Sequence, residues 1–282
     1  MFFRELAALA AAFGAFLFGL GMQLGGGCGS GTLYTVGGGS SRMVLTLAAF
    51  IAGSVLATAH WDQWQGLPAL PPMSLIWTAG PMLALLIALA VLGALFLASR
   101  GLERKLHGGL APETGTGSLL QGPWSLTTGA VALAVMSVLT LIVLERPWGI
   151  TSAFALWGAK IAQGAGIEVE WWAFWSHSQA LNASVFADAT SVQDFGLILG
   201  AMMAAGLAGK FAPVWRLPLG SAMAAIVGGL LMGYGARLSF GCNIGAFLGG
   251  VASGSLHGVG WLVFGLLGSA IGARLRPVFG LN

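Results

Sequence analysis

One segment of this chain is written twice, and its only two cysteines mark the copies. The first copy runs Gly19-x-Gly21-x-x-Leu24-x-x-Gly27-Cys28-x-x-Gly31, the second Gly233-x-Gly235-x-x-Leu238-x-x-Gly241-Cys242-x-x-Gly245. Aligning the cysteines fixes the offset at 214 residues and leaves five of the other twelve positions identical. A composition rich in Gly and Leu would give about one or two. Whatever this chain folds into must build the same Gly–Cys device twice.

The solvent for that device follows from the charge content. Only 7% of the residues are charged and 57% are hydrophobic, with a mean hydropathy of +0.86. A water-facing surface needs roughly 25% charged residues, so the chain is an integral membrane protein. Its 46 glycines and Ala/Leu-rich runs favour close-packed helices, not a barrel whose strands would alternate with period two. The net charge of +3 has no basic tract behind it, so nucleic acid is not a partner. The partner implied by composition is the lipid bilayer. The first twenty residues read as a retained helix, because Glu5 follows Arg4 and no small-residue cleavage pattern ends the apolar run.

Spans of about 20 apolar residues fall at 5–24, 43–60, 75–98, 124–144, 194–210, 218–236 and 258–276. The expected fold is therefore an all-α membrane bundle of about seven transmembrane helices. Three apolar but Gly/Ser/Thr-rich segments lie between spans: Gly25–Ser41, Pro147–Gly164 and Ser239–Leu256. Irregular backbone at membrane depth survives only where protein buries it or water lines it, so each reads as a re-entrant hairpin or broken helix. Residues 1–282 are expected to form one transmembrane domain. A first repeat region covers 1–98, a cytoplasmic connection 99–123 and a second repeat region 124–282. Trp171, Trp172 and Trp175 look like an interfacial belt.

Placing the N-terminus outside and the C-terminus in the cytoplasm puts Arg42, Arg100, Arg104, Lys105, Lys210, Arg216, Arg274 and Arg276 inside. Arg4, Arg146, Lys160 and Arg237 remain outside, which satisfies the positive-inside bias. The two cysteine segments then enter the membrane from opposite faces. That is the pattern of inverted-topology repeats, with a site near the midplane.

Cys28 and Cys242 are the first candidates for that site, each expected near the N-terminus of a short helix, where exposed N–H groups attract anions. A neutral thiol can donate S–H to an anion, whereas a thiolate would repel it. Gly27 and Gly241, just before each cysteine, would let backbone approach a solute or adopt positive φ at a break. Gly29, Ser30 and Asn243 complete the polar path beside the thiols. Arg237 occupies the position of Gln23 in the other copy. It either draws an anion to the outer mouth or snorkels to the interface. Four histidines without i, i+4 partners give no metal set, no P-loop pattern occurs, and no cofactor is expected.

The run FGLGMQLGGGCGSGTLYTVGGGSS at Phe18–Ser41 resembles a cysteine loop of the YeeE/YedE sulphur-transport family. So do RPWGITSAFALWGAKI at Arg146–Ile161 and GYGARLSFGCNIGAFLGGVASGSLHGVGW at Gly233–Trp261. The resemblance implies a helical bundle with inverted repeats in the inner membrane of a prokaryote. It implies that thiosulfate or a related ion passes inward, with Cys28 and Cys242 as two pore cysteines that hydrogen-bond its terminal sulphur. It also implies a small cytosolic sulphur carrier of the TusA type as a partner. The family pattern has a further N-terminal cysteine-loop unit ahead of the segment matching Gly19–Ser41. Other solutes (selenium species, sulfite, sulfide) fit the same residues, and an intramembrane thiol oxidoreductase is the reading from a different class. It would need thiols able to cycle.

Overall fold

The computed structural model describes residues 8–67, 73–110, 115, 124–214 and 216–281. Arg4, the start of the first expected span and most of the connection between 111 and 123 lie outside the described residues. The helices are α1 (Ala8–Gly25), α2 (Gly29–Gly37), α3 (Ser41–Ala59), α4 (Trp61–Gln65), α5 (Leu75–Ala79) and α6 (Pro81–His107). Then come α7 (Leu126–Leu144), α8 (Thr151–Gly164), α9 (Ala189–Leu207), α10 (Leu219–Leu238), α11 (Gly249–Ala252) and α12 (Leu256–Leu275). A π-helical stretch, Asn243–Leu248, runs directly into α11. Seven of these helical stretches are long and apolar enough to cross a bilayer. They overlap the seven spans expected from hydropathy, with two clear shifts: the third begins only at Pro81, after a break at Gly80, and runs on to His107, and the fifth begins at Ala189. The protein is an all-α membrane protein.

The core is a four-helix assembly. α1 packs on α10 and α12, and α10 packs on α1 and α3. Glycine makes these contacts possible: a methyl group added at Gly268 would overlap the Phe16 carbonyl oxygen, and one at Gly233 that of Phe50. Only backbones that touch leave so little room. Small residues are how apolar helices associate when lipid offers no hydrophobic drive.

These contacts obey the 214-residue offset. Gly14 meets Gly235 and Gly21 meets Gly228 across α1 and α10. The offset carries Gly14 onto Gly228 and Gly21 onto Gly235, so the two contacts exchange. α1 and α10 run antiparallel, as the opposite order of the pairs requires. Likewise Gly19 against Gly265 corresponds to Gly233 against Phe50, within one residue. The two cysteine units are thus related by a two-fold axis perpendicular to the helices, the geometry of inverted-topology repeats.

Both copies also end their first helix alike. Gly26 and Phe240, equivalent positions, both take positive φ, 92° and 62°. Sequence spacing places the left-handed residue at Gly27 and Gly241. Gly241 does have φ 146°, but in the first copy the break falls one residue earlier. There Arg42, at the start of α3, donates to the carbonyls of Leu24 and Gly25, and Thr46 donates to the Gly25 carbonyl. In the second copy the corresponding place at the start of α12 is filled by His257, whose Nε2 lies 3.0 Å from the Ser239 carbonyl oxygen. The Trp261 indole donates to Ser239 Oγ, which in turn donates to the Gly235 carbonyl. A helix end at membrane depth has carbonyls to satisfy, and each copy draws on the start of its next long helix to do so.

Elsewhere, α8 packs on α3, and α9 on α2. The segment after α8 folds back against that helix through three 3-10 turns with Val169, Trp175 and Leu181 buried. Lys160 Nζ fastens it by donating to the carbonyls of Leu181 (2.6 Å) and Ala183 (2.7 Å). Of the expected tryptophan belt, Trp171 is exposed, but Trp175 turns inward and donates to Thr58 Oγ1. α6 and α7 bury almost none of their apolar surface against the rest of the chain, as suits helices faced by lipid.

Candidate functional site

Cys28 and Cys242 are matched in backbone as well as in sequence. Each is the residue that starts a short helix, Cys28 before α2 (φ −85°, ψ −171°) and Cys242 before the π-helical stretch (φ −104°, ψ −166°). An extended residue there turns the chain back and leaves the first N–H groups of the new helix pointing at the break. The Cys28 carbonyl accepts from the Thr32 N–H and hydroxyl, both at 2.8 Å. The Cys242 carbonyl accepts from the Ala246 N–H at 2.8 Å. Both thiols are free, and Cys28 Sγ lies 3.3 Å from Ser30 Oγ.

The two units meet at Gly29. A methyl group added there would lie 3.4 Å from Thr151 Cγ2 and 3.5 Å from both Cys242 Sγ and Ile150 Cγ2. Three helix beginnings therefore converge at one point inside the bundle: α2 at Gly29, α8 at Thr151, and the Asn243–Ala252 helix at Cys242. Each carries a partial positive charge of about half a unit at its first turn. Nothing larger than hydrogen at position 29 separates the Cys242 thiol from the α2 backbone.

Access differs between the thiols. A cavity of about 390 Å³ is lined by Gln23, Gly26, Gly27, Cys28, Arg42 and Arg276, with Met22 and Leu281. It carries two guanidinium groups and reaches Cys28. Cys242 is fully buried and is not among the lining residues. Arg237 sits on the other side of the junction, donating to Thr151 Oγ1 (3.2 Å) with its guanidinium carbon 6.0 Å from the centre of the Phe174 ring. These contacts hold it within the protein, not extended along the helix toward lipid headgroups. Gln23, its counterpart, donates to Ser269 Oγ at 2.6 Å.

Of the residues singled out from sequence, Gly29 and Cys242 form the junction, and Cys28 packs against the same buried cluster with Ser30 beside its sulphur. Arg237 donates to Thr151, Asn243 follows Cys242 as the first residue of the π-helical stretch, and Gly27 lines the cavity. Gly241 holds the turn into Cys242: a side chain there would meet the Ala246 nitrogen at 3.0 Å at an already unfavourable φ. Among the described residues, six side-chain polar atoms are buried with no hydrogen-bond partner, namely Asn243 Oδ1, Trp148 Nε1, Arg42 Nε, Arg237 Nε and both carboxyl oxygens of Asp194. Among the described residues no group of His, Cys, Asp and Glu is placed to hold a metal.

A family model for sulphur transport matches residues 4–271. The chain belongs to the sulphur transport family. It is 31% identical over 280 residues to the thiosulfate transporter TsuA of Spirochaeta thermophila, covering 91% of this chain and 74% of that protein. It is 26% identical over 273 residues to TsuA of Escherichia coli, covering 90% and 71%. The probable transporter YedE of Escherichia coli is 30% identical over 161 residues, 55% of this chain. The match spans 39% of the length of YedE.

For this member of the sulphur transport family, sequence reasoning missed Thr151, Trp148 and Asp194. The first two belong to the segment Pro147–Gly164, which reads in sequence as a re-entrant hairpin or broken helix but is from Thr151 onward the regular helix α8; its composition does not reveal what the start of that helix faces. Asp194 is an acidic residue in an apolar run, a signal that intramembrane function carries. The span expected from hydropathy begins at that residue, which puts it at a helix end instead of inside the bundle.

Proposed function

We propose that the protein conducts thiosulfate, or a closely related reduced-sulphur anion, across the inner membrane of a prokaryote, with Cys28 and Cys242 as successive contacts. One observation carries the reading: three helix N-termini and the Cys242 thiol meet at Gly29 in the middle of the bundle. An anion leaving water loses its hydration, and the converging N–H groups and dipoles offset part of that loss. A thiol that carries its proton donates S–H to sulphur, a soft contact a hydroxyl makes less well. The family description and the names of the TsuA relatives supply the solute class.

With the N-terminus outside, the Arg42–Arg276 cavity opens to the cytoplasm and Cys242 lies toward the outer side, under the segment that carries Phe174. The conformation is then open inward and closed outward. Arg42 and Arg276 concentrate anions at the inner mouth, and Arg237 serves as the outer counterpart. On the cytoplasmic side, the family resemblance supports a small sulphur-carrier protein of the TusA type as the acceptor. Transport involves no change of bonds, so no catalytic residue is assigned.

The test is growth of a bacterium lacking thiosulfate uptake, with thiosulfate as sole sulphur source. The intact protein restores growth, and Cys28→Ala and Cys242→Ala abolish it while remaining in the membrane fraction. Restored growth with both variants removes the role given to the thiols. Competition by sulfite, sulfide and selenium species in the same strain ranks the solutes.

A further inference from the structure

Asp194 is fully buried, and neither carboxyl oxygen has a hydrogen-bond partner. It lies in α9, on the face formed with Thr190, Ser191 and Ala201, which is buried against α2 and α8. Ile198, one turn on along the same helix, packs in the same cluster as Cys28, Ile150 and Cys242, so Asp194 lies one helical turn from a wall of the junction. Trp157 closes its flank, stacked on Phe195 at 4.9 Å and donating to Ser191 Oγ at 2.8 Å. An acidic group in such a place is costly to keep unless it has work to do.

We propose that Asp194 is a proton site coupled to anion passage. The inference rests on the transport reading above. A carboxylate one helical turn from the junction and a divalent anion in it repel each other strongly in a medium of low dielectric, so the anion binds when the carboxyl is neutral. A carboxyl oxygen forms an O–H bond with a proton from water on the side where the anion arrives. The same proton returns to water on the side where the anion leaves, and no electrons change hands. The other ionisable groups on the surrounding elements are Cys28 before α2, Tyr34 on α2, Lys160 on α8, Arg146 before α8, Arg237 on α10, Cys242, and Asp188 at the start of α9. Arg146 donates to Thr190, Arg237 to Thr151 and Lys160 to the Leu181 and Ala183 carbonyls, and Asp188 accepts from Ser191. None of them hydrogen-bonds Asp194.

The experiment uses purified full-length protein in liposomes, radiolabelled thiosulfate, and potassium with valinomycin to hold the voltage at zero. With the outside one pH unit more acid, the wild type accumulates thiosulfate about tenfold, as one coupled proton requires. A protonophore removes the accumulation, and a lumenal pH dye reports acidification when thiosulfate is added. Asp194→Asn, nearly equal in shape, still equilibrates thiosulfate but no longer accumulates it in response to the gradient. Wild-type uptake that equilibrates thiosulfate and ignores the gradient overturns the inference while leaving the transport reading intact, and so does an Asp194→Asn protein that accumulates as the wild type does. A wild type that takes up no thiosulfate at any gradient overturns both.

Discussion

Gly29 and Cys242 belong to different copies of the repeat, 213 residues apart in the chain, and face each other inside the bundle across a gap of about one methyl group. A methyl group on Gly29 would stand 3.5 Å from the Cys242 sulphur, in ordinary van der Waals contact. The space in front of the thiol is therefore about one small group deep. Gly29→Ala is expected to fold normally and to slow thiosulfate uptake several-fold. Gly29→Val adds two more methyl groups, which the Thr151, Ile150 and Cys242 contacts leave no room for, and uptake falls to background. Uptake rates normalised to protein in the membrane check both, and full activity of Gly29→Val contradicts the position assigned to the path.

Cys28 lines the open cavity and Cys242 is fully buried. A small maleimide should modify Cys28 at least about tenfold faster than Cys242, since reaction requires access as well as thiolate. A charged, impermeant thiol reagent should reach Cys28 in inside-out vesicles and not in intact cells. Labelling from the outer face alone would reverse the proposed orientation.

Backbone contact between the repeats gives a stability prediction. At Gly268 a side chain would overlap the Phe16 carbonyl, whereas nothing lies within 4 Å of the position at Gly93 on α6. Gly268→Val is expected to cost at least about 3 kcal/mol, the upper end of ordinary overpacking. Gly93→Ala on the lipid-facing helix gains helix propensity of roughly 0.8–1 kcal/mol and disturbs no contact. Thermal unfolding of each variant in detergent should show a large drop in Tm for the first and no drop for the second.

Arg42 links the cavity to the helix break, since its guanidinium both lines the cavity and donates to the carbonyls that end α1. Arg42→Ala leaves those carbonyls without that donor and removes a positive charge from the mouth. The expected result is weaker thiosulfate binding, with KM raised several-fold and made less sensitive to salt. Arg42→Lys keeps the charge but not the forked geometry, so it should restore part of the KM and less of the Tm. Equal effects of the two variants on both quantities would contradict the dual role.

The spans were legible because apolar runs of membrane length admit one answer, and the inverted repeat because its cysteines and glycines mark both ends of each contact. What hydropathy could not place was where helices begin. Asp188 accepts from both the N–H and the hydroxyl of Ser191 and so starts α9 at Ala189, five residues before Asp194, drawing that carboxyl into the interior. The breaks before Cys28 and Cys242 were recognisable from composition, whereas the segment Pro147–Gly164 is mostly the regular helix α8, and the meeting of Gly29, Thr151 and Cys242 depends on tertiary packing of three elements and leaves no local pattern. Phe240 makes the same point: its positive φ matches that of Gly26, but no phenylalanine announces a left-handed turn.

The most direct test of the central claim, that both thiols flank one anion path, is uptake of radiolabelled thiosulfate by the purified protein in liposomes. The wild type should show saturable uptake well above that of empty liposomes, and Cys28→Ala and Cys242→Ala should each fall to background with a Tm close to that of the wild type. Background uptake by the wild type, or wild-type uptake by either folded variant, contradicts the account.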